Sequence, residues 1–560
     1  SSGSVVTFEN GEDETTLLSG FTIKNGMALT GGGGGGVYVV DSNPTLYNLI
    51  ISGNGAYSGG GLYLSGSSST LENMIISGNT ATEDGGGIVM YYSNATLKNI
   101  TINENTVGFS GGGLSMFDSS PSLENVTIVN NTAPGDGNGH FGGGIICYRN
   151  ANPNLVNTIL WGNSPDNVSF LSFEDPNTIT ISYSNVQWGQ GSIVTNDNGT
   201  VIWGSGNIDA DPMFVDTSSS NYHLLASSQC INAGHPDSTD SDGTVADIGA
   251  YPYLNSYSGP TWYITENGND TTATGASDDP FRSIQSGINF SSDADSVTVA
   301  AGTYVENINF RGLNIKLAGE DRETTIIDGD SSGSVVTFEN GEDSTAVLSG
   351  FTIQHGLAVS GGGIYLYQSD PALSHLTITD NTAIEGGGIY SNSSSANITS
   401  CEIIGNSASV DGGGFLIVGN SDIFLTKSII RSNSASGGAA FGIENSNVNI
   451  DRATILFNEA SDQGGCMYLW NNGQVHVTQS IIAENTPQQI FSDAQFNPNT
   501  VSIQYANIDD GQDSIVTNDN DTVTWGDGNI DVDSHFMDAE NDDYHLLASS
   551  QCINGGHPDS

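Results

Sequence analysis

The residues best suited to holding an ion lie between positions 237 and 247. Asp237, Asp240 and Asp242 alternate with small residues ahead of Gly243, and Asp247 follows. An oxygen-rich turn of this kind suits a hard cation, Ca2+ first among them. It lacks the full EF-hand pattern, and the plainer reading is a solvated acidic loop. Asp209 and Asp211, echoed by Asp531 and Asp533, are a weaker version of the same pattern.

Chemistry on a uronate polymer would need a Lys or Arg to take the proton α to the carboxylate, beside acidic residues holding Ca2+. The repetitive parts of the chain carry only Lys24, Lys98, Arg149, Lys427, Arg431 and Arg452, and none sits in an acidic cluster. Glycoside hydrolysis would need two carboxylates flanking the scissile bond, and acids are too numerous here for spacing to single out a pair. Gly139-His140-Phe141 is the nearest approach to a Gly-His-Gly hydrolase mark, and His223, His375 and His476 are scattered. The glycine clusters lack the lysine of a phosphate-binding loop.

What must position any such residue is a short repeat: isoleucine, two variable residues, asparagine. It recurs at Ile51–Asn54, Ile76–Asn79, Ile102–Asn105, Ile128–Asn131, Ile378–Asn381, Ile403–Asn406, Ile430–Asn433, Ile455–Asn458 and Ile482–Asn485. Neighbouring asparagines within each run are 25 to 27 residues apart, with glycine clusters between them, as at Gly59–Gly61 and Gly386–Gly388. Such a period marks a solenoid whose coils bury their apolar faces only against one another. Five residues before each asparagine the residue is apolar or small, and four before it the residue is mixed. That is strand alternation. The expectation is an all-β, right-handed parallel β-helix, since parallel crossovers take that hand. Its isoleucines line the inside. Asn54, Asn79, Asn105, Asn131, Asn381, Asn406, Asn433, Asn458 and Asn485 form a structural ladder at a bend, not a ligand site.

Ten Lys and Arg against 63 Asp and Glu give a formal net charge of −53. That charge excludes nucleic acid and an anionic membrane surface as partners, and no stretch approaches membrane-spanning length. Cys147, Cys230, Cys401, Cys466 and Cys552 show no zinc spacing.

A larger duplication overlies the coils. Ser1–Leu18 matches Ser331–Leu348, and Tyr222–Ser238 matches Tyr544–Ser560. The offset drifts from 330 to 322, through the longer glycine run at Gly31–Gly36 and the loop Pro134–Phe141. The expected organisation is one module over 1–253, a linker at 254–260 and a second module over 261–560. The first starts partway through and the second stops before the equivalent of Thr239–Tyr253, as in a window on a longer array. Asp279-Pro280 is expected to open a short helix that carries Phe281, Ile284 and Ile288 on one face and covers the open end of the second coil stack.

Residues 263–328, with YITENGND, DDPFRSIQSGINF and SVTVAAGTYVENINF, resemble the opening of right-handed β-helix proteins of the pectate-lyase-like superfamily. The coils resemble those of bacterial surface β-helix proteins. Asn207–Tyr253, with NIDADPMFVD and YHLLASSQCINAG, is similar to the choice-of-anchor Q segment of secreted proteins. The superfamily holds both enzymes and inert surface proteins. The expectation is therefore a non-catalytic extracellular or cell-surface fibre, stalk, filament or adhesin, with no cofactor beyond a candidate Ca2+. Its expected partners are its own kind or further modules of the same chain, and extracellular glycans. The alternative is a carbohydrate-binding or polysaccharide-degrading protein, with outward Tyr63, Tyr91 and Tyr92 stacking on sugars.

Overall fold

A computed structural model describes residues 3–30, 33–134, 141–171, 175–494, 497–518, 520–541 and 543–557. Part of the glycine run at Gly31–Gly36, the Gly139-His140 pair and residues 558–560 of the second duplicated motif lie outside the described residues. The chain divides into two compact units, Ser1–Ser256 and Tyr257–Ser560, and the boundary falls inside segment 254–260.

One coil of the second unit shows the construction. Its strands are Ala372–Ser374, Thr377–Thr379, Thr382–Glu385 and Ile389–Asn392. Each pairs in parallel with the same position one coil on: Leu373 with Ile398, Ile378 with Ile403, Ala383 with Ala408 and Ile389 with Phe415. Stacked coils give parallel sheets of eleven, nine, nine and five strands. The bends fall where the backbone turns left-handed, at His375 (φ 52°) and Asp380 (φ 55°) on either side of Thr377–Thr379. The first unit is built alike, with sheets of seven, twelve and four strands.

Sequence alternation translates directly into burial. All nine motif isoleucines are fully buried. So are the residues five before each asparagine, from Leu49 and Met74 to Ser428 and Ser480. Serine is tolerated there because its hydroxyl serves the preceding coil: Cys401 N–H donates to Ser428 Oγ at 3.1 Å and Ala453 N–H to Ser480 Oγ at 3.0 Å. A polar atom inside is acceptable once paired.

Thr101, Thr127 and Ile159 occupy outward positions yet are buried. The chain after residue 220 folds back over them. Tyr222 OH donates to Glu104 Oε1 at 2.9 Å. Farther on, residues 239–253 form a strap in which Gly249 N–H donates to the Asn157 carbonyl at 2.9 Å and Ala250 N–H to Thr127 Oγ1 at 3.0 Å.

After its first strand the second unit forms helix α1, Ile284–Phe290, every residue of which is buried. It packs on the strands of the first coils, Thr261–Ile264, Ser296–Val299 and Ile308–Asn309. The helix starts later than Asp279-Pro280 suggests, and its N-cap is Ser283. Asp279 instead closes a turn, accepting from Thr274 N–H at 2.9 Å. Phe281 extends a strand, its N–H donating to Tyr263 O at 3.0 Å. The local proline signal yields to β pairing. The first helical amides are met by Glu306, whose two oxygens accept from Ile284 N–H (2.8 Å) and Gln285 N–H (3.0 Å).

Candidate functional site

The nine motif asparagines form two internal columns, all buried. In the first unit the Asn54 amide donates to Asn79 Oδ1, Asn79 to Asn105 and Asn105 to Asn131, each at 3.0 Å. In the second, Asn381 donates to Asn406 (2.9 Å), Asn406 to Asn433 (3.0 Å), Asn433 to Asn458 (2.9 Å) and Asn458 to Asn485 (2.8 Å). From Asn54 to Asn131 and from Asn381 to Asn458, each backbone N–H aims at the same oxygen as its own side chain, as Asn433 N–H does at Asn458 Oδ1 (3.0 Å). Each amide nitrogen also donates to an isoleucine carbonyl one coil back, for example Asn433 to Ile403 O at 2.9 Å.

Both column ends are closed. Gly26 and Gly356 N–H donate to Asn54 and Asn381 Oδ1, each at 2.9 Å. At the far ends Asn131 donates to Asn163 (3.0 Å), Asn163 to Asn167 (2.9 Å), and Asn485 to Gln489 Oε1 (2.8 Å). Asn163 escapes the sequence motif because Leu160 replaces isoleucine; a motif admitting any aliphatic residue would have found it. With donors and acceptors used by neighbouring coils, these amides have no capacity for a ligand.

The carboxylates of the 237–247 run are drawn into main-chain bonds. Asp247, buried, accepts from Asn232 N–H (2.7 Å) and Tyr253 N–H (2.6 Å), and its own N–H donates to Asp240 Oδ2 (2.9 Å). Asp242 accepts from Asn255 N–H (2.8 Å) and Thr244 N–H (3.1 Å). Asp237 is exposed. Among the described residues there is no group of three or more His, Cys, Asp or Glu side chains disposed to hold a metal. Asp209, Asp211 and Asp533 each accept one backbone N–H, from Trp188, Met213 and His535.

The outer surface carries the most distinctive remaining chemistry. Tyr38, Tyr63, Tyr91 and Phe117, half-buried, and Tyr148, buried, form one column on successive coils of the first unit, with ring centroids 5.2, 5.5, 4.5 and 4.2 Å apart. Tyr92 is exposed in a turn at φ 48° and lies off the column. The Tyr148 hydroxyl is hydrogen-bonded to Ser110, whose Oγ donates to Asp84 Oδ1 at 2.7 Å. The second unit repeats the theme with Tyr365–Tyr390 (5.5 Å), Tyr468–Trp470 (4.7 Å) and Tyr468–Phe491 (5.8 Å). Asp411 there precedes its glycine cluster as Asp84 does. Ring edges, phenol hydroxyls and a carboxylate side by side can meet sugar hydroxyls and CH faces.

The cations are dispersed. Lys98 pairs with Glu124 at 3.2 Å, Arg149 with Asp118 at 3.4 Å and Arg452 with Asp451 at 2.6 Å, while Arg431 lies 5.7 Å over the Tyr544 ring.

The chain matches the family described as a right-handed β-helix region over residues 2–160 and 286–478, more than half its length, and belongs to that family. Among solved structures it resembles a pectin methylesterase mutant in complex with a hexasaccharide, at 11% identity and a TM-score of 0.27, over 52% of this chain and 94% of that one. No curated protein matches it. No helix among the described residues is long and apolar enough to cross a membrane.

Four carboxyl groups make stability depend on pH. Burial pushes Asp84 and Asp411 up to about 6, Glu306 to about 7 and Asp247 to about 8, the last against the lowering effect of its two N–H donors. A raised native pKa means the folded state binds the proton more tightly. This stabilisation is complete below the unfolded values near 4 and is lost as pH rises through 6 to 8. The apparent Tm is therefore expected to be higher at pH 5 than at pH 8 by about 5 °C or more. Calorimetry across that window checks it, and a Tm that rises with pH would refute it.

Proposed function

We propose that this chain is a non-catalytic structural or adhesive protein of the extracellular space or cell surface, forming part of a fibre, stalk or filament. The observation that carries this reading is the destination of its repeated polar residues. The asparagines placed alike in nine coils are spent on joining one winding to the next. The dispersal of Lys98, Arg149, Arg431 and Arg452 over separate partners supports the same reading, since a uronate lyase needs a Lys or Arg base beside clustered acids. The likeness of 207–253 to choice-of-anchor Q segments fits a surface location. Its partners in this reading are its own kind or further modules of the same chain.

A carbohydrate-binding role is the second reading, favoured by the outer aromatic columns beside Asp84 and Asp411. Incubation with pectin and polygalacturonate tests both readings. The expected result is no unsaturated product, no new reducing end and no released methanol, and measurable turnover would overturn the non-catalytic reading. Retention on immobilised polysaccharide that is lost in Tyr63→Ala/Tyr91→Ala would establish the second.

A further inference from the structure

The carboxylates beside the two aromatic columns occupy matching places in different company. In the first unit Asp84 bridges in parallel to Ser110 on the next coil and accepts from its Oγ at 2.7 Å. That hydroxyl is also bonded to Tyr148, one coil farther on. In the second unit Asp411 makes the same parallel bridge to Gly437, which brings no hydroxyl. Among the described residues no donor reaches the Asp411 carboxylate, and the charges that act on it, Glu385 and Glu444, both repel it. A half-buried carboxylate left so is costly until a cation meets it.

Aromatic rings adjoin this charge. A Cβ at Gly437 would stand 2.5 Å from Asp411 Oδ1 and 2.9 Å from Tyr468 Cδ1, so carboxylate and ring meet over that glycine. Tyr468 packs in turn on Trp470 and Phe491. A Cβ at Gly442 would lie 3.4 Å from Trp470 Cη2, so the indole leans back across bare backbone instead of standing off the sheet. Glu444, on the preceding coil, is the in-register partner of Trp470, and Asp493 is its partner on the next. Tyr468, Trp470 and Phe491 are all half-buried, leaving part of each ring open to a ligand.

We propose that this face, centred on Asp411, Tyr468 and Trp470, binds a glycan whose sugars carry free amino groups, such as a polymer of glucosamine. The inference rests on the carbohydrate-binding reading above and names the class of sugar. Carboxylates beside aromatic rings select an ammonium group, by charge and by cation–π attraction, while the rings also take the apolar faces of the sugars. Rings and acids recur on successive coils of this face, which suits a repeating polymer. The same acids repel a uronate chain.

The test is calorimetric titration of the full 560-residue chain, at about 0.15 M salt, with short oligomers of glucosamine, N-acetylglucosamine and galacturonate. The expected result is saturable binding of the glucosamine oligomer, about tenfold weaker for the N-acetylated one and absent for the uronate. Asp411→Asn and Trp470→Ala should each weaken the glucosamine oligomer about tenfold or more. Asp411→Asn removes a repelled charge, so a loss of binding there is not a folding defect. Equal binding of the two amino-sugar oligomers would overturn the ammonium assignment and leave the carbohydrate-binding reading standing. No saturable binding of any oligomer up to about 1 mM would remove both. Binding undiminished in Asp411→Asn, or matched by an oligomer of lysine, would be diffuse attraction to a chain of net charge −53 and would also overturn the proposal.

Discussion

Replacing Asn433 by alanine is expected to lower the apparent Tm of the second unit by roughly 10 °C, corresponding to about 3–5 kcal/mol. Asn433 stands mid-column. Its oxygen accepts from Asn406 N–H at 2.9 Å and from the Asn406 amide at 3.0 Å, while its own amide donates to Asn458 and Ile403. Alanine takes away the acceptor of two Asn406 N–H groups, main-chain and amide, and one donor each from the Ile403 carbonyl and Asn458 Oδ1, and leaves a void too tight for easy repair. Each unmet group costs about 1–3 kcal/mol, and the cavity adds to it. The control is Asn449→Ala, which faces outward and bonds only weakly, at 3.4 Å to Asp422. Outward substitutions of this sort stay within about 0.5 kcal/mol. Equal Tm values for the two variants, by calorimetry, would remove the column from the account of stability.

Gly387→Ala is expected to cost at least about 4 kcal/mol and to leave much of the second unit open to protease. The problem there is space. A Cβ would stand 2.5 Å from Ser407 O and 2.6 Å from Gly413 O, both main-chain atoms of the next coil. Those carbonyls belong to the parallel ladder, so they move only if the coil spacing opens. Gly405 gives the contrast: its φ is +64°, but only Asp380 Oδ1 approaches, at 3.6 Å. Alanine there bears left-handed strain alone, about 1–2 kcal/mol. Limited proteolysis of both variants separates the causes, and comparable resistance would show that the glycine clusters are not close-contact sites.

The coil was legible because its determinants are local and repeated. Isoleucine at a fixed distance from asparagine sets which face is inside, and nine repetitions average out chance. Three features were hidden for identifiable reasons. The covering of Thr101, Thr127 and Ile159 depends on residues more than fifty positions later, so no window around them carries the signal. The helix start misled because Asp279-Pro280 is a sound local cue that strand pairing by Phe281 overrides. The main-chain bonding of the acidic run at 237–247 was hidden because spacing does not show which carboxylate accepts a main-chain N–H, as Asp247 and Asp242 do. The aromatic column fell between these cases. Tyr63 and Tyr91 were read as outward, but their joining with Tyr38, Phe117 and Tyr148 rests on coil registration.

The asparagine columns run one way. Each amide hands one hydrogen forward to the next asparagine and the other back to an isoleucine carbonyl, so consecutive windings within a column present the same socket and plug. Removing or duplicating one whole winding leaves a seam identical to the one it replaces, whereas a shift of a single residue strands a buried donor. Such a fold can lengthen by copying itself in 25- to 27-residue steps, and heritable variation in coil number meets less resistance than almost any point change inside a coil.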